Sequence, residues 1–600
     1  MSPKETGSNP ADSSNSAKEA PAEQPSMASQ FGVSFDDFSH SLAHHGKKIG
    51  VVFAIVWLVV LAFCYWWFHP PINLHSVTFW EFFCILVLAP MIVVLFVLRQ
   101  MNEPIPGTKS QGNPRKAKMF TRLLIIPFAF ILVAFVGLLL SQSFIPGNAE
   151  KFSSLLQTED TDFTEGVKEV DYSQIPFIDR DSAVLLGNRT MGVMADYVSQ
   201  FEISPLYSQI NYKGAPVRVS PLNYADIFKW WTNQENGIPG YVVVNMSTQD
   251  TEIVRTDEPI RYSDSDPFFK NVDRHVQLSR PFYIYGEKSF EVDEEGNPFW
   301  IYPVLDYTIG LFSGETVSRV VICNACTGEI QDLAIDEVPQ WVDRAYPADL
   351  LIKQYNWSGS LSGGWINSWL GQNGVKQTTP GTDGKNGYNF IAQDDDVWLY
   401  TGVTSATADN SIIGFVMINQ RTGESKFYSV AGATEDSSMH SAEGQVQHLK
   451  YNATFPLLIN VHGVPTYFMA LKDDAGLVKM YAMIDIERYQ NVAVGDTLEA
   501  TERNYENLLR QNGVQTNASS GSDQNTVVAD GVATGTIEEI SPVVIDGNSH
   551  YYVILAGDNT IYDCPISSVV DIVRFKEGQN VTLNFNPASN PAEVSSVAAA

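Results

Sequence analysis

The sequence is poor in cysteine and in basic residues. Five cysteines in 600 residues exclude the disulfide-dense scaffold of a small secreted protein. The chain has 38 Lys and Arg residues against 68 Asp and Glu residues, and this formal charge of −30 argues against the basic face that a nucleic-acid-binding protein needs. Because 44% of the residues are hydrophobic, the chain can bury several cores, which excludes a wholly disordered protein.

Short motifs of common enzyme classes are also missing. The sequence contains no G-x-S-x-G, no H-E-x-x-H and no phosphate-binding P-loop. We therefore predict no cofactor and no metal ion, and we favour a binding protein over an enzyme.

Three long apolar runs are present near the N-terminus. They cover residues 49–68, 82–98 and 123–140, which are 20, 17 and 18 residues long. A hydrocarbon core of about 30 Å needs about 20 helical residues, and lipid forces each run to satisfy its own backbone groups. The runs therefore predict three transmembrane helices.

The charges beside these runs predict their orientation. Six basic residues and a single acid, Glu103, lie between the second and third runs, whereas residues 69–77 contain no Lys or Arg. The six are Arg99, Lys109, Arg115, Lys116, Lys118 and Arg122. Since basic loops stay in the cytoplasm, we expect the N-terminus and residues 99–122 there. Residues 144–600, with 28 bases and 60 acids, are then expected outside the plasma membrane.

Changes in composition predict six regions and an α+β fold class. The C-terminal region alternates apolar and polar residues in short strands, which is typical of a small β-barrel of the SH3 or OB kind. The expected regions are a disordered cytoplasmic tail (1–46), the three-helix transmembrane region (47–143), an extracytoplasmic α+β domain (144–510), a flexible linker (511–530), the small barrel (531–590) and a disordered tail (591–600).

An apolar run that ends in Asn or Asp occurs four times in the expected extracytoplasmic domain. The copies cover residues 241–250, 320–329, 415–424 and, more weakly, 481–487. Asn and Asp side chains can bond to the backbone two residues on, so each copy predicts a strand, a tight turn and a returning strand. We expect repeated antiparallel sheets, with helices such as 224–232 and 348–355 packed on them.

The repeated unit resembles the PepSY-type module of bacterial extracytoplasmic proteins. Its aromatic strand is followed by the pattern V-x-V-(N/D)-x-x-T-G-E, and the resemblance implies small sheets that act as binding or inhibitory domains. Phrases around Trp341, Thr404 and Tyr467 are also similar to an uncharacterised family of large membrane-anchored proteins of Gram-positive bacteria. Members of that family are sometimes labelled cell-shape-determining, and the likeness implies a protein of the cell envelope.

Two short motifs at predicted hairpin turns contain residues that could form a redox or metal-binding site. Cys323 and Cys326 form the only C-x-x-C, but they precede a turn and lack both a helix N-terminus and a second ligand pair. A local disulfide and two free thiols are both compatible with this position. Asp394, Asp395 and Asp396 offer oxygen atoms for Ca²⁺, but without the spacing of an EF-hand they favour a solvated turn.

A dispersed catalytic set is the remaining candidate. His440 and His448 flank Ser441 and Glu443, so a Ser/His/Glu arrangement is conceivable. Such residues must meet in space with a hydrogen bond between nucleophile and base, and the spacing does not ensure this.

The leading hypothesis is a non-enzymatic, membrane-anchored binding or scaffold protein of the cell envelope. Its expected partner is a protein or a cell-wall component, and a homo-oligomer is a further option. The alternatives are an extracytoplasmic hydrolase or protein-processing enzyme, and an accessory subunit of a membrane transport or secretion complex.

Overall fold

The computed structural model describes residues 35–103, 113–169, 172, 175–192, 197–381, 386–406, 411–512, 531–545, 548–566, 569–587 and 591–600. The chain divides into two units, Met1–Phe68 and His69–Ala600. Residues 1–34 of the predicted tail and residues 513–530 of the predicted linker lie outside the described part.

The described part of the first unit is a single helix, α1 (Phe35–Phe68), of 34 residues. It begins inside region 1–46, so the prediction of a disordered tail is wrong for residues 35–46.

Two helices of the second unit are long and apolar enough to cross a membrane. They are Val77–Asn102, with 26 residues, and Pro114–Leu140, with 27. Only 6% and 11% of their apolar windows are buried, unlike the core helices of a soluble protein. The first consists of α2 (Val77–Phe83), a π-helical turn (Cys84–Leu88) and α3 (Ala89–Asn102), and the second of α4 (Pro114–Leu123) and α5 (Ile125–Leu140).

The sequence predicts three spans, and by length and hydropathy the described residues contain two. The described apolar part of α1 is Val52–Phe68, and the uncharged run in the sequence starts at residue 49.

Four sheets within residues 201–495 share one topology. In each sheet two short strands pair with the two halves of one long strand, which is followed by a hairpin partner and an outer strand. Strand β1 (Thr158–Thr161) precedes them and joins the third sheet. The first sheet holds β2 (Phe201–Ile203), β3 (Ser208–Tyr212), β4 (Ala215–Tyr224), β5 (Ile238–Asn245) and β6 (Thr251–Ile260). The second holds β7 (Ile284–Tyr285), β8 (Ser289–Val292), β9 (Pro298–Ile309), β10 (Ser313–Asn324) and β11 (Ile330–Ala334).

The other two sheets repeat this order. The third holds β12 (Lys376–Thr378), β13 (Asn389–Gln393), β14 (Asp396–Ser405), β16 (Gly414–Asn419) and β17 (Ser425–Tyr428), beside a small ladder of β15 (Ser411–Ile412) and β18 (Gly432–Ala433). The fourth holds β19 (Asn452–Ala453), β20 (Leu457–Val461), β21 (Val464–Lys472), β22 (Val478–Asp485) and β23 (Val492–Gly495). One apolar core includes buried residues of all four sheets. We call these sheets with their helices the β-body.

The four predicted hairpins are confirmed, and so is the chemistry of their turns. In each turn the side-chain oxygen of one residue accepts backbone N–H groups two and three positions on, at 2.8–3.2 Å. These residues are Asn245, Asn324, Asn419 and Asp485. The α+β class is therefore correct.

Helices pack on and between the sheets. The predicted helices 224–232 and 348–355 correspond to α9 (Ile227–Asn233) and α11 (Ala348–Leu361). The helices are α6 (Asn148–Ser153), α7 (Phe163–Gly166), α8 (Arg180–Gly192), α9 (Ile227–Asn233), α10 (Val272–Ser279), α11 (Ala348–Leu361), α12 (Glu435–Gln445) and α13 (Leu498–Gln511), with a 3₁₀ turn at Ile335–Glu337 and a π-helical turn at Asn367–Gly371.

The C-terminal residues form a closed ring of five strands with its own apolar core. The strands are β24 (Gly531–Ile545), β25 (Asn548–Leu555), β26 (Tyr562–Pro565), β27 (Asn580–Phe585) and β28 (Ala592–Ala599), with a 3₁₀ turn at Val570–Arg574. The prediction of a disordered tail over 591–600 is wrong, because β28 pairs with β26 and β27 to close the ring. Its residues Ala592 and Val594 are buried in that core.

Candidate functional site

The ends of the two apolar helices are fixed to one hairpin tip of the β-body. The Ser141 hydroxyl, directly after α5, accepts the backbone N–H groups of Leu311 and Phe312, both at 2.9 Å. The His75 Nδ1 atom, directly before α2, lies 2.8 Å from the carbonyl oxygen of Leu311. We call these contacts to residues 310–312 the latch.

Further contacts surround the latch. The Ile72 N–H donates to the Pro281 carbonyl at 2.6 Å, so the segment before α2 also contacts the loop between α10 and β7. The Asn148 amide donates to the Leu140 carbonyl at 2.8 Å and caps the end of α5. The start of α2 and the end of α5 therefore both contact the β-body, and Arg115 lies at the opposite end of the second helix.

A cleft of about 450 Å³ separates the fourth sheet and α13 from the barrel. This volume is in the range of small-ligand sites. Its apolar lining comes from both sides: Val492, Val494 and Leu508 from the β-body, and Ile545, Pro565 and Pro591 from the barrel.

His550 is the central polar group of this cleft. Its Nδ1 atom lies 2.8 Å from Asp563 of the barrel, and its Nε2 atom lies 3.4 Å from Asp496 of the β-body. Burial alone would lower the pKa of His550, but the hydrogen bonds and charges of the two carboxylates outweigh it and raise the pKa to about 9. A protonated His550 thus bridges the two parts, and an ion pair between Arg503 and Glu593 lies beside it.

A second polar group is buried where the first three sheets meet. The Glu291 carboxylate accepts the Asp343 N–H at 2.8 Å, and the Asp343 carboxylate accepts the Asn211 N–H at 2.7 Å. Burial raises the pKa of both acids, and for Asp343 the neighbouring Glu291 adds to the rise. Each carboxylate is used to hold a backbone segment, so we assign this pair a structural role.

The acidic triplet is a hairpin turn between β13 and β14. Asp394 and Asp395 have positive φ of 54° and 67°, as do Lys213 and His462 in the equivalent turns of the first and fourth sheets. The Asp395 side chain accepts the Asn211 amide at 2.8 Å, and Asp396 pairs with Arg421 at 2.6 Å. Across the residues that the structure describes, no group of three or more His, Cys, Asp or Glu side chains could hold a metal ion.

Cys323 and Cys326 are buried and carry free thiols in the structure. The Cys326 sulfur lies 3.2 Å from the Glu258 carbonyl, whereas the Cys323 sulfur lies 3.7 Å from its neighbour's carbonyl. Burial raises the pKa of Cys323 to about 12 and that of Cys326 to about 11. The geometry corresponds to the free-thiol alternative, and neither thiol is activated as a nucleophile.

The residues of the predicted catalytic set, His440, Ser441, Glu443 and His448, lie on and directly after α12, and three of them bond to backbone groups. His440 Nδ1 lies 2.8 Å from the Asp436 carbonyl, and the Ser441 hydroxyl donates to the Ser437 carbonyl at 2.9 Å. Glu443 accepts the N–H of Ala453 at 3.0 Å, and His448 is exposed. The described contacts therefore do not join these side chains as nucleophile, base and orienting acid.

Sequence reasoning missed the residues that build the latch and the cleft. Ser141 directly follows an apolar run. This position is typical of a residue at a helix end, but the sequence does not indicate which residues the side chain contacts. His550 stands out only as one of few histidines, because Asp496 and Asp563 lie 54 and 13 residues away in the sequence.

No protein family and no curated protein matches the chain. Among solved structures, a mutant apocarotenoid oxygenase of Synechocystis is 8% identical over 66% of this chain and 61% of its own, with a TM-score of 0.13. An endo-1,4-beta-xylanase of Bacteroides thetaiotaomicron is 10% identical over 66% and 94%, with a TM-score of 0.15. Levansucrase of Bacillus subtilis is 10% identical over 74% and 97%, also with a TM-score of 0.15. At these TM-scores the likeness carries no argument about fold or function.

Proposed function

We propose that this chain is a membrane-anchored binding protein whose β-body and barrel lie outside the cytoplasmic membrane. The helices Val77–Asn102 and Pro114–Leu140 are the proposed anchor. The observation that carries the proposal is the latch, because it ties both outer ends of the anchor to the β-body.

The orientation of the β-body depends only on this helical hairpin. Four basic residues lie on α4, at the start of the second helix: Arg115, Lys116, Lys118 and Arg122. In the sequence, Lys109 precedes them. A basic turn in the cytoplasm leaves residues 141–600 outside. The apolar run 49–68, which α1 carries as one continuous helix, is proposed as a third span, and it decides only the side of the N-terminus.

The proposed ligand site is the cleft around His550. An apolar lining with a few convergent polar groups is typical of binding sites. The carboxylates Asp496, Asp563 and Glu593 outnumber the cations His550 and Arg503, which favours an apolar ligand segment that carries a basic group. A peptide segment of an envelope protein or of the cell wall has this chemistry.

The family resemblance is part of the same proposal. Four sheets with one strand order and one type of Asn/Asp turn support a kinship with PepSY-like binding modules. A binding role in the cell envelope of a Gram-positive bacterium is the function that this kinship implies.

Site-specific photo-crosslinking tests the binding site in membranes. A benzophenone side chain replaces Val494 or Leu508 in the cleft, and Val532, which is 62% exposed on the barrel, serves as the control position. We expect a discrete crosslinked partner from both cleft positions and none from the control. Absence of an adduct at both cleft positions, or the same adduct at Val532, would contradict a site in the cleft.

A further inference from the structure

A stretch of the β-body beside the latch lacks charge. Residues 354–375 contain no Asp, Glu, Lys or Arg, although charged residues make up 18% of the chain. The stretch contains the end of α11 and a short helix over residues 365–371. Gly364, with φ of 85°, provides the turn between them.

The short helix exposes large apolar side chains on one side. Ile366 is 63% exposed, Trp369 57% and Leu370 65%. Trp365 is less exposed, and its ring packs against that of Trp369 with 5.6 Å between centroids. We call Trp365, Ile366, Trp369 and Leu370 the tryptophan patch. Contiguous exposed apolar surface of this kind marks an interaction site.

The patch is joined directly to the end of the anchor. The ring of Phe144 lies 6.0 Å from that of Trp365 in an edge-to-face arrangement. Phe144 follows Leu140 by four residues, within the turn that Asn148 holds against the Leu140 carbonyl. Below the patch, Leu361 packs in an apolar cluster with Phe152 and with Ile309 of the latch hairpin. The tryptophan patch therefore borders the point where α5 ends.

We propose that the tryptophan patch inserts into the interface of the outer lipid leaflet and forms a second, monotopic membrane contact. Tryptophan is favoured at the depth of the lipid headgroups, and short helices with an apolar face bind there by burying that face. The missing acidic residues remove the repulsion that anionic headgroups exert on the rest of this acidic domain. The inference rests on the proposed anchoring, and it adds a lipid contact that fixes the β-body against the bilayer.

Spin-label accessibility in liposomes of phosphatidylcholine and phosphatidylglycerol tests this contact on the full chain. Cysteine replaces Ile366 or Leu370 in a Cys64→Ala, Cys84→Ala background, since the other three cysteines are buried. Phe128 on α5, 57% exposed, reports the anchor, and Val570 on the barrel, 60% exposed, is the matched control. We expect oxygen to collide more often than a water-soluble nickel complex with labels at 366, 370 and 128, and the reverse at 570.

Each other outcome has a definite meaning. Nickel-accessible labels at 366 and 370 with a lipid-exposed label at 128 overturn the tryptophan patch and leave the anchor intact. A label at 128 that is open to nickel overturns the proposed anchoring itself. Low collision rates with both reagents at 366 and 370 indicate that protein covers the patch, and lipid exposure at 570 indicates a nonspecific effect of the label; both overturn the inference.

Discussion

The β-body has one junction with the two apolar helices, at the latch, and another with the barrel, and different interactions stabilise them. At the latch, Ser141 and His75 bond to backbone groups of Leu311 and Phe312, and apolar side chains such as Ile309 pack nearby. At the barrel, charged groups around His550 connect the two parts across a cleft with an apolar lining. The latch should therefore be indifferent to salt, while the barrel junction should respond to both salt and pH.

This difference indicates which junction can be released. A junction of backbone bonds and apolar contacts opens only when the surrounding fold opens, whereas charge pairs are weakened by protonation and screening. We therefore expect high pH and high salt to weaken the barrel junction and to leave the latch unchanged.

The largest expected effect is at His550. In His550→Gln the Asp496 and Asp563 carboxylates lose the cation between them, which should cost about 3 kcal/mol of junction stability. Hydrogen exchange of β23 amides measures this as faster opening. His448→Gln, the same change at an exposed histidine, should leave the exchange unchanged, and equal exchange in the two variants would contradict the bridge.

The next effect breaks the latch. A Cβ at Gly310 would lie 2.5 Å from the Ser141 hydroxyl oxygen, and the residue has φ of 63°. Gly310→Ala should therefore cost about 2 kcal/mol, from backbone strain and from overpacking. Gly557→Ala has similar backbone strain at φ of 80° but open space around the Cβ, so it should cost only about 1 kcal/mol. In thermal unfolding in detergent, the Gly310→Ala variant should have a lower midpoint temperature than the Gly557→Ala variant.

A change of pH should distinguish the two junctions without a mutation, because it should weaken only the barrel junction. The folded pKa of His550, about 9, lies above its ordinary value of 6.5, so its stabilisation is complete below 6.5 and is lost as the pH rises through 9. After correction for intrinsic rates, protection of β23 should fall between pH 6.5 and about pH 9 and then level off. Protection of residues 311 and 312 should stay constant, and a parallel loss at both junctions would contradict the distinction.

The smallest effect concerns the partly exposed pair of Arg503 and Glu593. Arg503→Gln should weaken the barrel junction by about 0.5 kcal/mol, because solvent screens such pairs. Added salt should remove the difference from the unmodified chain in the same exchange measurement. A difference that persists at high salt would show that Arg503 acts through packing instead.

Local sequence patterns predicted much of the β-body. The Asn and Asp turns at positions 245, 324, 419 and 485 are short-range devices, so their hairpins could be predicted. Strand β28 was missed because its pairing partners β26 and β27 decide its structure, not its own small residues. Helix α1 starts at Phe35, whereas the apolar run starts at residue 49. A prediction based on hydropathy alone does not include this polar part of the helix.

The candidate site could not be predicted in the same way. His550, Asp496 and Asp563 come from separate elements, and no local spacing connects them. The conspicuous triplet at Asp394 is a turn with positive φ, like the turns at Lys213 and His462. The clustered acids therefore form a hairpin turn. The residues of the candidate site come together only because the barrel packs on the β-body.

The side of the membrane that holds the β-body is the central claim, and labelling of intact cells tests it most directly. In a background with Cys64 and Cys84 replaced, a membrane-impermeant maleimide is applied to chains that carry Glu577→Cys on the barrel or Arg115→Cys at the helical turn; both positions are exposed. The account predicts labelling at 577 in intact cells and at 115 only after permeabilisation. Labelling at 115 but not at 577 in intact cells would contradict it.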